Sequence, residues 1–142
     1  MSNRMPLAQI GHDGPPPLSS CLAMQDLPDE ALQQVAAYFQ ALSEPTRLQI
    51  LNLLRRGERN VGEIAQACGF TSANISRHLS VLMQQGLVTR ESRGSAVYYS
   101  IADESVYALC DLVCGSIGRQ LERAAAQRST FLKGTKASRR VG

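Results

Sequence analysis

The chain has 142 residues, of which 44% are apolar and 19% charged, and its formal net charge is +3. This length suits one domain with a substantial core, no apolar run approaches the ~18 residues of a membrane-spanning helix, and the polar, proline-rich first twenty residues lack a secretory signal. We therefore expect a soluble cytoplasmic protein without a membrane partner, whose mild positive charge permits nucleic-acid binding without requiring it.

The first part of the chain predicts an arm followed by two helices. Residues 1–27 are rich in proline and glycine and predict a flexible arm. Apolar residues at helical spacing then predict a first helix over 29–42. Ser43 is the expected cap of the second helix, Pro45 lies in its first turn, where a missing N–H costs nothing, and Gly57 ends it.

The most informative stretch runs from residue 60 to residue 88 and predicts two helices joined by a tight turn. Its first half, residues 61–68, has the apolar spacing of a short amphipathic helix. Asn60 and Glu63 form a plausible capping box at its start. Gly69 supplies the permissive backbone that ends it.

The second helix of this stretch, residues 71–84, has the composition of a recognition helix. Its apolar side chains, Ile75, Leu79 and Leu82, are predicted to face the core, and Gly86 ends it. The other face carries short hydroxyl and amide groups and one arginine, which can enter the major groove and hydrogen-bond base edges. The predicted DNA-contacting residues are Thr71, Ser72, Asn74, Ser76 and Arg77.

A hairpin and a long helix complete the predicted domain, residues 28–130. Short strands over 87–92 and 96–101, rich in Val and Tyr, predict a wing. Asp103 is expected to cap a last helix over 104–131, whose apolar stripe is Val106, Cys110, Val113, Ile117, Leu121 and Ala124. Such a seam predicts pairing with a second copy, to which the first helix can contribute. Residues 131–142 are predicted to be a basic, solvated tail.

This order of elements resembles the ArsR/SmtB family of bacterial metal- and metalloid-responsive repressors over about residues 29–125. The segments that carry the resemblance are LSEPTRLQILNLL, NVGEIAQACGFTSANISRHLSVLMQQGLV and SAVYYSI. The family implies a mainly α winged helix-turn-helix with a β-hairpin wing. It also implies a homodimer, joined through the first and last helices, that binds a palindromic double-stranded operator and releases it when an inducer binds.

The predicted DNA contacts differ in what they contribute. Arg77 can bind guanine and Asn74 adenine through two hydrogen bonds each, and one such pair contributes ~1–3 kcal/mol of discrimination. Arg90 and Arg93 are expected to attract phosphate without sequence preference. The family resemblance places Arg93 at the wing tip, against phosphate or in the minor groove. His78, on the edge of the packed face, is interpreted as a structural histidine.

Three inducer sites known in the resembled family lack their residues in this chain. The two-cysteine arsenic motif ELCVCDL corresponds to EIAQAC, in which only Cys68 remains, and we interpret Cys68 as a core thiol. Residues 103–130 contain no histidine, so the zinc site of the last helix is missing its ligands. The second helix contains no cysteine, so the redox and persulfide branch loses its usual pair.

The remaining cysteines suggest a different sensor. Cys110 and Cys114 are four residues apart, so both thiols project from one helix face and can chelate a soft centre. Trivalent arsenic or antimony prefers three sulfur donors, and Cys21 on the arm is the candidate for the third. We therefore predict a metalloid as inducer, with no cofactor required for folding. A redox- or persulfide-responsive repressor and a repressor without an inducer remain as alternatives, whereas no motif supports a thiol enzyme.

Overall fold

The computed structural model describes residues 24–140 of the chain, with side chains through residue 136. Most of the predicted arm, including Cys21, lies outside the described residues. Packing divides the chain into two compact units, residues 1–39 and 40–142. Between residues 24 and 140, no helix combines the length and the apolar character that crossing a bilayer requires.

The described part of the first unit consists of a 3-10 turn, Met24–Asp26, and most of helix α1, Asp29–Leu42. The bounds of α1 are those predicted. None of its side chains before Gln40 is buried, and Phe39, which packs edge-on against Tyr38, remains 48% exposed.

Helix α2, Pro45–Leu54, begins with a cap that the sequence interpretation missed. The N-cap is Glu44, whose carboxylate accepts the N–H of Arg47 at 2.9 Å. The predicted cap, Ser43, instead donates its hydroxyl to the carbonyl of Gln40 at the end of α1. The prediction was wrong because the residue before a proline is driven to extended backbone, which is the geometry of an N-cap.

Helices α3, Val61–Cys68, and α4, Ser72–Gln84, form the predicted helix-turn-helix. The capping box is present in both directions, because the side chain of Asn60 accepts from the N–H of Glu63 and the side chain of Glu63 accepts from the N–H of Asn60. Gly69 and Gly86 have φ of +74° and +69°, which allows the chain to leave each helix in the left-handed region.

Removing the capping box should measurably weaken the fold. We expect Asn60→Ala to lower the free energy of unfolding by about 1 kcal/mol, because the N–H of Glu63 then loses its acceptor. Urea denaturation followed by circular dichroism measures the change. Gln66→Ala, at an exposed position of the same helix, should change stability by less than about 0.5 kcal/mol. Equal losses in the two variants would contradict the role assigned to the cap.

The core of the second unit lies where α2, α3 and α4 meet the strands. The three apolar residues predicted to face inward from α4, Ile75, Leu79 and Leu82, are each 0% exposed. The other buried apolar side chains are Ala41, Ile50, Leu51, Leu54, Ile64, Ala65, Leu87, Val88, Tyr99 and Val106. This burial fixes one face of α4 and directs the opposite face to solvent.

The wing consists of β2, Val88–Arg93, and β3, Ala96–Ile101, joined by a turn in which Gly94 has φ of +63°. Strand β2 starts one residue later than predicted. A third strand, β1, Arg59–Asn60, pairs with β3 and gives the antiparallel order β1-β3-β2. The sequence interpretation missed β1 because two residues are too few to show an alternating pattern.

The last helix, α5, runs from Ser105 to Arg140, beyond residue 131 where the predicted helix ends. The helix begins one residue later than predicted, so Asp103 lies two residues before it; its carboxylate accepts the N–H of Ser105 at 2.9 Å, and this hydrogen bond lowers the pKa of Asp103. The described elements confirm the predicted fold, a mainly α winged helix-turn-helix with a β-hairpin wing.

Candidate DNA interface and thiol site

The outward face of α4 presents most of the predicted DNA-contacting groups to solvent. Thr71, Ser72, Ser76 and Arg77 are exposed, and Asn74 is half-buried. Arg77 follows buried Ile75 by two positions, about 200° around a helix, and so points away from the core. Within the described part of the chain, Arg77 has no ion-pair partner. Its guanidinium is therefore available to an external ligand.

A polar contact between α2 and α4 holds the recognition helix from its inner side. His78 Nδ1 lies 3.4 Å from Arg47 Nη1 and 3.7 Å from Glu44 Oε2. Burial opposes ionisation of Glu44, but the hydrogen bond from the N–H of Arg47 and the charge of His78 bring its pKa below the usual value. His78 thus has partners within the domain, as expected of a structural histidine. The sequence interpretation did not assign Glu44 or Arg47 to this contact.

The two wing arginines have different surroundings. Arg90 is exposed and, among the described residues, forms no ion pair. Arg93 binds both carboxylate oxygens of Glu58, with Nη2 2.9 Å from Oε2, and Nη2 also lies 3.0 Å from Glu91. Its guanidinium stacks 5.1 Å from the centre of the Tyr98 ring, and the two carboxylates raise its pKa above the usual range. Contact of Arg93 with DNA stays a prediction.

The cysteines of α5 lie one turn apart on the same helix, Cys110 half-buried and Cys114 exposed. Burial raises the pKa of Cys110, the negative charges of Cys114 and Asp111 raise it further, and Arg55 opposes them. Cys68 is half-buried, and burial raises its pKa too. Among residues 24–136 no group of three metal-ligating side chains occurs, and the third predicted donor, Cys21, lies outside the described residues.

The raised pKa of Cys110 predicts slow alkylation. At a given pH a thiol with a raised pKa has a smaller thiolate fraction, and only the thiolate attacks iodoacetamide. We expect the pH at which the alkylation rate of Cys110 is half its maximum to be higher in the folded protein than in the same protein unfolded in urea. Peptide mass spectrometry follows the alkylation. A folded-state midpoint at or below the unfolded one would contradict the burial of this thiol.

The start of α5 is attached to α2 by a polar junction beside the thiols. The hydroxyl of Tyr107 donates to the carbonyl of Leu51 at 2.9 Å, and the guanidinium of Arg55 lies 4.8 Å from the centre of the Tyr107 ring. Arg55 also pairs with Asp111, 3.3 Å away. Cys110 immediately precedes Asp111, so a displacement of α5 at the thiols would reach α2, which packs against α4.

Beyond this junction, the predicted apolar seam of α5 is uncovered in the single chain. Val106 is 1% exposed, but Val113, Ile117 and Leu121 are 47%, 49% and 66% exposed. Val113, Ile117 and Leu121 recur at intervals of four and so share one face of the helix. A row of large apolar side chains at such exposure is typical of a surface that another protein covers.

Comparisons with known proteins give the same fold and a common class of function. Residues 44–90 match the family described as bacterial regulatory protein, arsR family. The chain is 35% identical over 91 residues to the "Probable mercury resistance operon repressor" of Streptomyces lividans, covering 64% of this chain and 73% of that protein. It is 32% identical over 87 residues to the arsenical resistance operon repressor of Bacillus subtilis, covering 61% and 83%.

A solved structure matches the same region. It is the NMR structure of the homodimeric winged helix-turn-helix DNA-binding domain Mb0332 from Mycobacterium bovis, with a TM-score of 0.61 and 40% identity. The match covers 70% of this chain and 95% of that one.

Proposed function

The chain belongs to the arsR family of bacterial regulatory proteins, and we propose that it is a homodimeric repressor that leaves its operator when trivalent arsenic or antimony binds Cys110 and Cys114. Members of this family are DNA-binding transcriptional regulators, so the chain is a regulator and not an enzyme.

The observation that carries the proposed inducer is the position of two thiols one helical turn apart, next to the junction between α5 and α2. Arsenous acid, As(OH)₃, condenses with two thiols to give a dithiolate that retains one hydroxyl, and two molecules of water leave. In each condensation one S–H bond and one As–O bond break, while one S–As bond and one O–H bond form, without a change of oxidation state. Each thiol proton leaves as part of a water molecule, so the raised pKa of Cys110 does not prevent the reaction. Cys21 would displace the last hydroxyl.

Two relatives support a soft, thiol-binding inducer. Their names assign them to mercury and arsenical resistance operons, and mercury and trivalent arsenic both prefer sulfur ligands. The chain lacks the two-cysteine motif on α3, which leaves the pair on α5 as the thiols closest in sequence. A metalloid bridging Cys110 and Cys114 would replace two flexible side chains by one rigid ring on α5.

The uncovered seam of α5 supports a twofold dimer. Val113, Ile117 and Leu121 would pair with the same residues of a second copy, since a twofold axis brings identical surfaces together. The solved relative Mb0332 is homodimeric. In the dimer the two recognition helices must lie about one DNA turn apart, ~34 Å, to enter successive major grooves.

Release then follows from a small change of that spacing. Metalloid binding would shift α5, and the contacts of Tyr107 and Asp111 with α2 would pass the displacement to α4. A coupling free energy of only ~1–3 kcal/mol lowers operator affinity about five- to hundredfold, which is enough for derepression.

Fluorescence anisotropy with a labelled duplex, selected from a random library with the wild-type protein, tests the proposal. Arsenite or antimonite should weaken binding about five- to hundredfold, and native mass spectrometry should show one metalloid adduct per site. The same titration is repeated with peroxide and with polysulfide in place of the metalloid. Release by these oxidants alone, with a mass change at the thiols, would identify the redox- or persulfide-responsive alternative. Unchanged affinity in every arm would indicate a repressor without a thiol inducer and would contradict the proposal.

A further inference from the structure

Four charged or aromatic side chains meet beside the three-stranded sheet, two from β2, one from β3 and one from the residue that precedes β1. The register places Glu91 opposite Tyr98, and Tyr98 opposite Asn60. Residues two positions apart in a strand share a face, so Arg93, two residues after Glu91, lies on the same side of the sheet as Glu91 and Tyr98. Glu58 lies just before β1 and 35 residues before Arg93 in the chain, and its carboxylate contacts the guanidinium of Arg93 in the folded structure.

The contacts on this face hold the arginine side chain firmly for a surface residue. Glu58 accepts from both terminal nitrogens of Arg93, Glu91 accepts from one of them, and the guanidinium stacks on Tyr98. A bidentate carboxylate uses the same pair of donors that a DNA phosphate would use. The side chain of Arg93 remains 46% exposed, so phosphate could reach it from solvent.

We propose that Glu58 sets the affinity of the wing for DNA by holding Arg93 against the sheet, so that a phosphate must displace a carboxylate before Arg93 contributes. The inference rests on the proposed DNA binding but not on the inducer. When phosphate replaces the carboxylate of Glu58, Arg93 loses one ion pair as it gains another, and this cancels most of the free energy gained from the new contact. Arg90, three residues before Arg93 in the same strand, has no such competitor among the described residues.

The expected effect of releasing Arg93 is tighter and more salt-sensitive binding. Glu58→Gln keeps the shape of the side chain and removes its charge. We expect it to raise DNA affinity about three- to tenfold and to steepen the slope of log K against log[salt] by about 0.9 for each wing that gains a phosphate contact, which is about 1.8 for the proposed dimer. Correspondingly, Arg93→Gln should lower affinity more in the Glu58→Gln background than in the wild type.

A double-mutant cycle separates this mechanism from simple charge repulsion. Anisotropy titrations of wild type, Glu58→Gln, Arg93→Gln and the double variant are made with the selected duplex at several salt concentrations, without metalloid. In the Arg93→Gln background, Glu58→Gln should change affinity by less than about twofold. Glu122→Gln, which removes a carboxylate from an exposed position on α5, controls for net charge.

Either of two results would overturn the inference. An equal gain from Glu58→Gln with and without Arg93 would mean that Glu58 acts only by repelling DNA, and no gain in the wild-type background would mean that it does not restrain the wing. If the four variants give the affinities expected here but a metalloid does not release the protein from DNA, only the proposed inducer is refuted.

Discussion

Arg77→Ala should weaken binding to the selected operator about 10- to 100-fold, the largest effect that we expect from any single side chain on α4. Arg77 lies on the face of α4 opposite buried Ile75, is exposed, and has no ion-pair partner in the part of the chain that the structure describes. Because the side chain of Arg77 forms no ion pair with the described residues, its removal should leave thermal unfolding unchanged.

The measurement compares anisotropy titrations on the selected duplex and on a scrambled duplex of the same length. A base contact should cost affinity for the selected duplex and little for the scrambled one, because sequence discrimination is lost while phosphate attraction persists. Arg123→Ala, at an exposed position on α5, removes the same charge. Similar losses from both variants, or equal losses on both duplexes, would mean that Arg77 contributes only charge.

The second large effect concerns the seam of α5. Ile117→Glu should weaken dimerisation at least ~100-fold, because it removes an apolar side chain that the proposed dimer would bury in both protomers, worth ~1.5–3 kcal/mol each, and places two carboxylates together. Sedimentation velocity measures the monomer fraction. Operator affinity should fall with it, since one protomer can occupy only one half-site.

Leu112→Glu is the matched control for this variant. Leu112 is 71% exposed and Ile117 is 49% exposed, and five positions of helical rotation put Leu112 well away from the seam. The same apolar-to-acid change should therefore leave the dimer intact. Dissociation of both variants, or of neither, would show that the two protomers associate through another surface.

The helix-turn-helix was predictable because its determinants are local. The capping box of α3, the glycines after α3 and α4, and the apolar spacing of Ile75, Leu79 and Leu82 are all properties of neighbouring residues, and the structure confirms each of them. The family resemblance, confirmed by the matched family and relatives, rested on the same segments. The N-cap of α2 was also local, but the restriction that Pro45 places on Glu44 was overlooked.

The contacts that sequence reasoning missed join residues far apart in the chain. Tyr107 and Arg55 reach their partners on the other helix across 56 positions, and Glu58 reaches Arg93 across 35. No periodicity relates such residues, and strand β1, which Glu58 immediately precedes, is only two residues long. The exposure of Arg77 could be predicted from the pattern of α4 alone, whereas the contacts that restrain Arg93 are visible only in the folded structure.

The most direct test of the account is the arsenite-induced change in operator affinity of Cys110→Ser and Cys114→Ser, measured by fluorescence anisotropy beside wild type and Cys68→Ser. Cys68 provides a half-buried thiol outside the proposed site, and Cys21→Ser examines the proposed third donor. We predict that wild type and Cys68→Ser lose affinity about five- to hundredfold on adding arsenite, whereas Cys110→Ser and Cys114→Ser bind DNA normally and do not respond. Normal release of both of these variants by arsenite would contradict the proposed sensor.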